Sequence, residues 1–284
     1  MESTVLQTMP RIGDQAPDFE ALTTTGKLRF SDYAKGSWAI LFSHPADFTP
    51  VCTTEMSGFA LEKDFFAARN TRLMGLSIDS IHAHVAWVQN VREKTGILFE
   101  FPIIADLDMS VAKLYGMLQP GESETAAVRA VFFVDPNFKI RLIMYYPLNI
   151  GRNMEEIKRA LIALQTADQH KCALPLNWKP GEKAIVPPPK TLDELDARLN
   201  SDYEMVDFYL AKRDLKDFSG SIAIGNAHLQ KKRIPCWPVQ ESRFGCYTFQ
   251  TRTKWAAHFR ADCPGGMVVN AGARAGFQQD SICL

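Results

Sequence analysis

Between Ser43 and Glu55 the chain reads Ser-His-Pro-Ala-Asp-Phe-Thr-Pro-Val-Cys-Thr-Thr-Glu, and this run holds the residue best placed to act as a nucleophile. Thr49 is a natural helix N-cap, and Pro50 falls on the first helical position, where its missing N–H and fixed φ cost nothing. Cys52 therefore sits in the first turn of a helix. There the free N–H groups and the positive end of the helix dipole favour a thiolate over a thiol. A thiolate at neutral pH is what nucleophilic attack by a cysteine requires. Placement alone does not decide the matter, because most cysteines of cytosolic enzymes are inert small hydrophobes.

The flanking pattern says what must hold this cysteine. Trp38-Ala39-Ile40-Leu41-Phe42 is a continuous apolar run of strand length, as expected of a central strand covered on both faces. After the cysteine loop, Phe59, Ala60, Phe66 and Ala67 recur at helical spacing, with the stem of Lys63 among them. Glu55, Glu62, Asp64 and Arg69 take the opposite, polar face. Leu73 to Ile78 reads as a second buried strand, and Ile81, Val85, Val88 and Val91 as the inner stripe of a second helix. Strand, helix, strand, helix predicts a parallel βαβ unit. Phe101–Ile104 is a weak strand candidate and Met109–Tyr115 a short helix. Ala130–Val134, the turn Asp135-Pro136-Asn137, and the alternating Phe138, Ile140, Leu142 and Met144 predict a β-hairpin. Asn153, with Glu156 three residues on, caps a last core helix whose buried stripe is Met154, Ile157, Leu161 and Leu164.

After His170 the chain becomes a proline-rich arm, including Pro187-Pro188-Pro189, with one helix expected from Thr191 to about Leu199. From Ser219 to the end there is no sustained period. Eight Lys and Arg face three Asp and Glu in that tail, so it is basic and the preceding body mildly acidic. The 284 residues balance 32 basic against 32 acidic side chains, which leaves no whole-chain footprint for nucleic acid or anionic lipid. No leader pattern opens the chain and no segment has the length of a membrane span, so a cytoplasmic protein is expected. Six cysteines without a CxxC or framework spacing are expected to serve chemistry or core filling rather than disulfide stapling.

Pro45-x-x-x-Thr49-x-x-Cys52 resembles the signature of peroxiredoxins, in the form Ser-His-Pro-Ala-Asp-Phe-Thr-Pro-Val-Cys that looks like the one-cysteine branch. Support outside that run comes from Ala16-Pro17-Asp18-Phe19, Arg129, Tyr146-Pro147 with Gly151-Arg152-Asn153, and Asn177-Trp178-Lys179-Pro180-Gly181. The resemblance implies a thioredoxin-like α/β fold, a mixed sheet with helices on both faces, followed by an extended C-terminal arm. It implies a thiol-dependent peroxidase that reduces hydrogen peroxide and organic hydroperoxides through a cysteine sulfenic acid, in antioxidant defence. Cys52 is similar to the attacking thiolate. Thr49 would offer its hydroxyl to the peroxide, Pro45 would shield the site, and Arg129 would bond the peroxide and hold the thiolate. Glu55 and Arg152 would orient that arginine, although by sequence alone both read as surface charges. His44 either lines the pocket or fills the strand end. Neither metal nor organic cofactor is implied; the partners would be the peroxide, an external thiol such as glutathione or thioredoxin, and a second copy in a homodimer or larger ring.

On this reading residues 8–168 form the peroxidase domain, 169–218 the arm and 219–284 a basic tail. Cys172 stands two residues before Leu174-Pro175, displaced from the resolving position of two-cysteine relatives. It is either a resolving thiol for a partner subunit or, as the displacement favours, a bystander. A phospholipase-like element known in animal one-cysteine members is not matched: Gly36-Ser37-Trp38-Ala39 lacks the second glycine, and Ser31 and Asn137 stand where its His and Asp partners would be. Two other functions compete. Cys236, Cys246 and Cys263 with His228 and His258 would suit a small zinc or RNA module, but their spacings match no common zinc pattern. A thioredoxin-type oxidoreductase would need the CxxC that is missing.

Overall fold

The computed structural model describes residues 9–215, apart from residue 124. The expectations for the tail, with Cys236, Cys246, Cys263, His228 and His258 among its residues, lie outside the described residues.

The chain opens with a hairpin, β1 (Glu20–Thr23) and β2 (Gly26–Arg29), and a short helix α1 (Phe30–Ala34). Then come β3 (Trp38–Ser43), α2 (Pro50–Leu61), α3 (Lys63–Ala67), β4 (Thr71–Ser77) and α4 (Ile81–Thr95). β5 (Ile103–Ala105), α5 (Ser110–Leu114), β6 (Arg129–Val134), β7 (Ile140–Tyr146) and α6 (Met154–His170) complete the main body. Seven strands form one mixed sheet in the order β2-β1-β5-β4-β3-β6-β7. β3, β4 and β5 are parallel, as the strand–helix alternation predicts, while β6 runs antiparallel to β3 and β7 to β6.

β3 is apolar from Trp38 to Phe42 because it is covered twice. Trp38, Ile40 and Phe42 point into one core with Met56, Phe59, Trp87 and Leu161, from α2, α4 and α6. Ala39 and Leu41 point into the other, with Phe30, Val111 and Tyr115. The period-2 alternation of a strand thus feeds two cores, and all six residues are buried. Helix α6 starts where expected, with Asn153 Oδ1 accepting from the amides of Glu155 and Glu156.

Three local expectations are corrected. The stretch after Cys52 is two helices, not one, broken at Glu62, and Glu55 lies buried rather than on the polar face. On α4 the inner stripe is His84, Trp87 and Val91, while Val85 is 55% exposed. The hydrophobic-residue pattern overlooks a buried histidine, so it shifted that stripe by about one position. The arm is more ordered than extended chain: β8 (Ala184–Val186), α7 (Leu192–Leu199), β9 (Glu204–Asp207) and β10 (Leu210–Arg213) form a three-stranded sheet, order β8-β10-β9, with one helix. Its strands are three or four residues long, too short for alternation to show. Arg198 of α7 is buried, donating to Phe208 O and Val186 O.

Candidate active site

Cys52 is positioned by the junction of β3 and α2. Thr49 has extended backbone (φ −106°, ψ 147°) and Pro50 begins the helix, which places Cys52 in the first turn. The expected side-chain cap is absent: the Thr49 hydroxyl donates backwards to Ala46 O at 2.9 Å. That bond uses its proton and leaves oxygen lone pairs free to accept. Just before it, Phe48 adopts a left-handed conformation (φ 55°), costing about 1–3 kcal/mol for a bulky residue. The kink sends its ring outward, 58% exposed. Pro45 is half-buried in the same loop.

The sulfur is fully buried, against the guanidinium of Arg129, whose Nη1 donates to Sγ at 3.3 Å and to Glu55 Oε2 at 2.7 Å. Arg129 cannot swing away, because its Nε and Nη2 both donate to Leu148 O, at 3.0 and 2.7 Å. Glu55, one turn beyond the cysteine, takes Arg152 as well: Oε1 accepts from Arg152 N and Nε, and Oε2 from Nη2, all within 2.9 Å. Arg152 Nη1 donates to Ser43 O and Ala130 O, bridging β3 and β6. Burial acts to raise the Glu55 carboxyl, but the charge and hydrogen bonds of Arg152, then Arg129, outweigh it and hold the group below its ordinary value. Burial, helped by the charge of Arg129, pulls the Arg152 guanidinium downward against the raising effect of Glu55.

Charge accounting gives this cluster its chemistry. Arg129 and Arg152 supply two positive charges and Glu55 one negative, all with side chains at most 5% exposed. With Cys52 as a thiol the buried set carries a net positive charge; with a thiolate it is neutral. A buried net charge is costly and a neutralised one much less so. The sulfur thus lies beside an arginine whose donors are already in place.

The structure thus brings Cys52, Arg129, Glu55 and Arg152 together, with Thr49 and Pro45 on the adjoining loop. His44 is fully buried at the end of β3, and its Nε2 lies 2.9 Å from Asp47 Oδ1. Asp47 and His84, which sequence reasoning passed over, complete a buried chain: Asp47 Oδ2 to His84 Nδ1, 2.7 Å, and His84 Nε2 to Ile104 O, 3.0 Å. The available signal was His44 and Asp47 at three-residue spacing within the cysteine loop. Atoms of His44, Asp47 and Asp79 converge to within 4.8 Å, the spacing of an ion site. They are already engaged: Asp79 Oδ2 accepts from Ser77 Oγ and from the Asp47 amide.

Cys172 lies apart from this cluster in sequence and setting. It follows the left-handed Lys171 that ends α6, and burial pushes its thiol up, against a smaller lowering by Arg213. Its neighbour Ala173 pairs with Ile185. Ser37 is buried just before β3, its hydroxyl donating to Asn70 Oδ1.

Known proteins show the same arrangement of segments. The model of the AhpC/TSA family matches residues 12–143, and that of the C-terminal domain of 1-Cys peroxiredoxin matches residues 163–201. The chain is 52% identical over 217 residues to peroxiredoxin 2 of Caldanaerobacter subterraneus subsp. tengcongensis, covering 74% of this chain and 98% of that one. It is 52% identical over 202 residues to the peroxiredoxin of Methanosarcina mazei, covering 69% and 92%. Among solved structures it is similar to yeast mitochondrial 1-Cys peroxiredoxin, studied for thiol resolution via glutathione/thioredoxin systems. That match has TM-score 0.66 and 41% identity, over 72% of this chain and all of the other. A cysteine-to-serine mutant of peroxiredoxin 6 of Arenicola marina matches with TM-score 0.66 and 36% identity, over 72% and 97%.

Proposed function

Since the chain belongs to the peroxiredoxin family and is a thiol-dependent peroxidase, we propose that Cys52 is its peroxidatic residue, served by Thr49, Pro45 and Arg129. The observation that carries this assignment is the buried Cys52 sulfur in the first turn of α2, 3.3 Å from Arg129 Nη1 and set against the Arg129–Glu55–Arg152 cluster. The thiolate attacks the terminal oxygen of the hydroperoxide. A S–O bond forms, the O–O bond breaks, and the sulfur becomes a sulfenic acid. The leaving alkoxide or hydroxide takes a proton and departs as alcohol or water.

On this reading Arg129, the Thr49 hydroxyl and the Cys52 backbone N–H hold the peroxide. The Thr49 oxygen can accept a hydrogen bond from the peroxide O–H, because its own proton is committed to Ala46 O. Negative charge growing on the leaving oxygen meets donors that need no reorganisation. Glu55 and Arg152 fix the plane of the Arg129 guanidinium. His44 acts from behind the loop, through Asp47. Pro45 limits access of water.

Turnover needs two thiol equivalents. The first condenses with the sulfenic acid to a mixed disulfide and releases water; the second releases the Cys52 thiol and a disulfide. The yeast relative supports glutathione or thioredoxin as the external thiol here. The need for reduced thiols supports a cytoplasmic setting. A homodimer is supported by β7, at the end of the seven-stranded sheet, and by the apolar side chains Leu176, Val206 and Phe208 on the arm region, each more than half exposed. The domain division at residues 168 and 218 belongs to the same proposal.

Peroxide consumption with glutathione or thioredoxin, followed by intact-mass analysis of Cys52 after one peroxide equivalent, tests the assignment. A gain of one oxygen on Cys52 is expected. Oxidation at another cysteine with Cys52 intact would overturn it.

A further inference from the structure

We propose that His84 is a positioning residue for the peroxidatic loop, a buried imidazolium that clamps Asp47 and thereby fixes the tautomer and place of His44. This rests on Cys52 being the peroxidatic residue. His84 is fully buried on α4 and both its nitrogens face oxygen: Asp47 Oδ2 at 2.7 Å and the carbonyl of Ile104, on β5, at 3.0 Å. A carbonyl only accepts, so Nε2 carries a proton. A neutral ring would then have a bare Nδ1, which requires Asp47 to be the protonated partner.

Asp47 is not suited to that role. Burial acts to raise its carboxyl, but bonds from His44 and His84 outweigh burial and hold it below the ordinary range. His44 is pushed the other way, chiefly by burial, and stays neutral. Its Nε2 faces Asp47, so the neutral ring carries its proton there, and its Nδ1 is buried without a partner. A buried carboxylate with one neutral donor still lacks a countercharge. His84 supplies it: the array is His84 positive, Asp47 negative, His44 neutral, with zero net charge.

The array joins four elements to the loop that carries the site. Asp47 lies between Pro45 and Thr49. Its carboxylate is held by α4 through His84 and by the end of β3 through His44, and its amide by Asp79 after β4. His84 is in turn tied to β5. The loop can then turn through the left-handed Phe48 without drifting. Because a displacement of about 1 Å at a reacting group can cost on the order of a hundredfold in rate, a clamp remote from the sulfur controls the reaction.

Two measurements test this on the full chain. In histidine-15N-labelled protein at neutral pH, His84 should show both ring nitrogens protonated and His44 only Nε2. A His84 ring with one bare nitrogen overturns the proposal without any variant. Second, His84→Gln should slow Cys52 oxidation by hydrogen peroxide about tenfold or more while the circular dichroism spectrum is kept. Asp47→Asn should slow it similarly and release the His44 tautomer preference. If Cys52→Ser is inactive and both folded variants oxidise Cys52 at the wild-type rate, the clamp is wrong and the Cys52 assignment stands. If Cys52→Ser keeps its activity, the Cys52 assignment itself fails.

Discussion

The Nη1 nitrogen of Arg129 lies 3.3 Å from the sulfur of Cys52, across 77 residues of chain. The same nitrogen is 2.7 Å from Glu55, so one nitrogen serves both a carboxylate and the sulfur. Cys52→Ser keeps the size of the first-turn side chain and removes the ionisable group. Peroxidase activity should fall to background while the melting temperature changes little. Substantial turnover in the serine variant, measured by peroxide consumption, would contradict the assignment.

Arg129→Met removes the donor but leaves Glu55 its bonds from Arg152. Breaking a buried pair costs about 3–5 kcal/mol when a charge is left alone; here Glu55 is not left alone, so the loss should fall below that range. The second-order rate of Cys52 oxidation should drop at least about tenfold, through lost charge-assisted stabilisation of the leaving oxygen. Stopped-flow measurement with hydrogen peroxide checks this, and an unchanged rate would leave Arg129 a purely structural residue.

Glu55 makes a pH-dependent contribution whose sign follows from its lowered carboxyl. A carboxylate favoured in the folded state stabilises fully above the ordinary value of 4.5 and loses that contribution as pH falls through the depressed folded value. Glu55→Gln lacks this dependence. The gap in melting temperature between wild type and Glu55→Gln should therefore be widest near neutral pH and close as the solution is acidified below about 4.5. A gap that stays constant across that window would mean that Glu55 does not carry the charge assigned to it.

Cys172 begins a segment tied to the arm by the Ala173–Ile185 pairing, and its thiol is pushed up by burial, which makes it a poor nucleophile near neutral pH. Cys172→Ser should retain most of its activity with a small-molecule thiol. Peroxide-treated wild type should run mainly as monomer on non-reducing denaturing gels. A dominant dimer band that disappears in Cys172→Ser would move the protein to a two-cysteine mechanism.

What the sequence determined by itself is local. Pro50 at the first helical position places Cys52 in a first turn, Asn153 caps α6, and the unbroken apolar run of β3 announces a strand with a core on each face. Each follows from a side chain acting on backbone within a few residues. The tertiary structure decided what depends on distant partners. Glu55 looks like the polar face of a helix, and only arginines 74 and 97 positions away turn it into a buried charge at the site. Without the family resemblance neither arginine could be distinguished from an exposed one. His84 and Asp47 are likewise separated by 37 residues, and no periodicity registers a polar residue that is buried because another neutralises it. Burial of a charge belongs to the pair, and the pair exists only once the chain has folded.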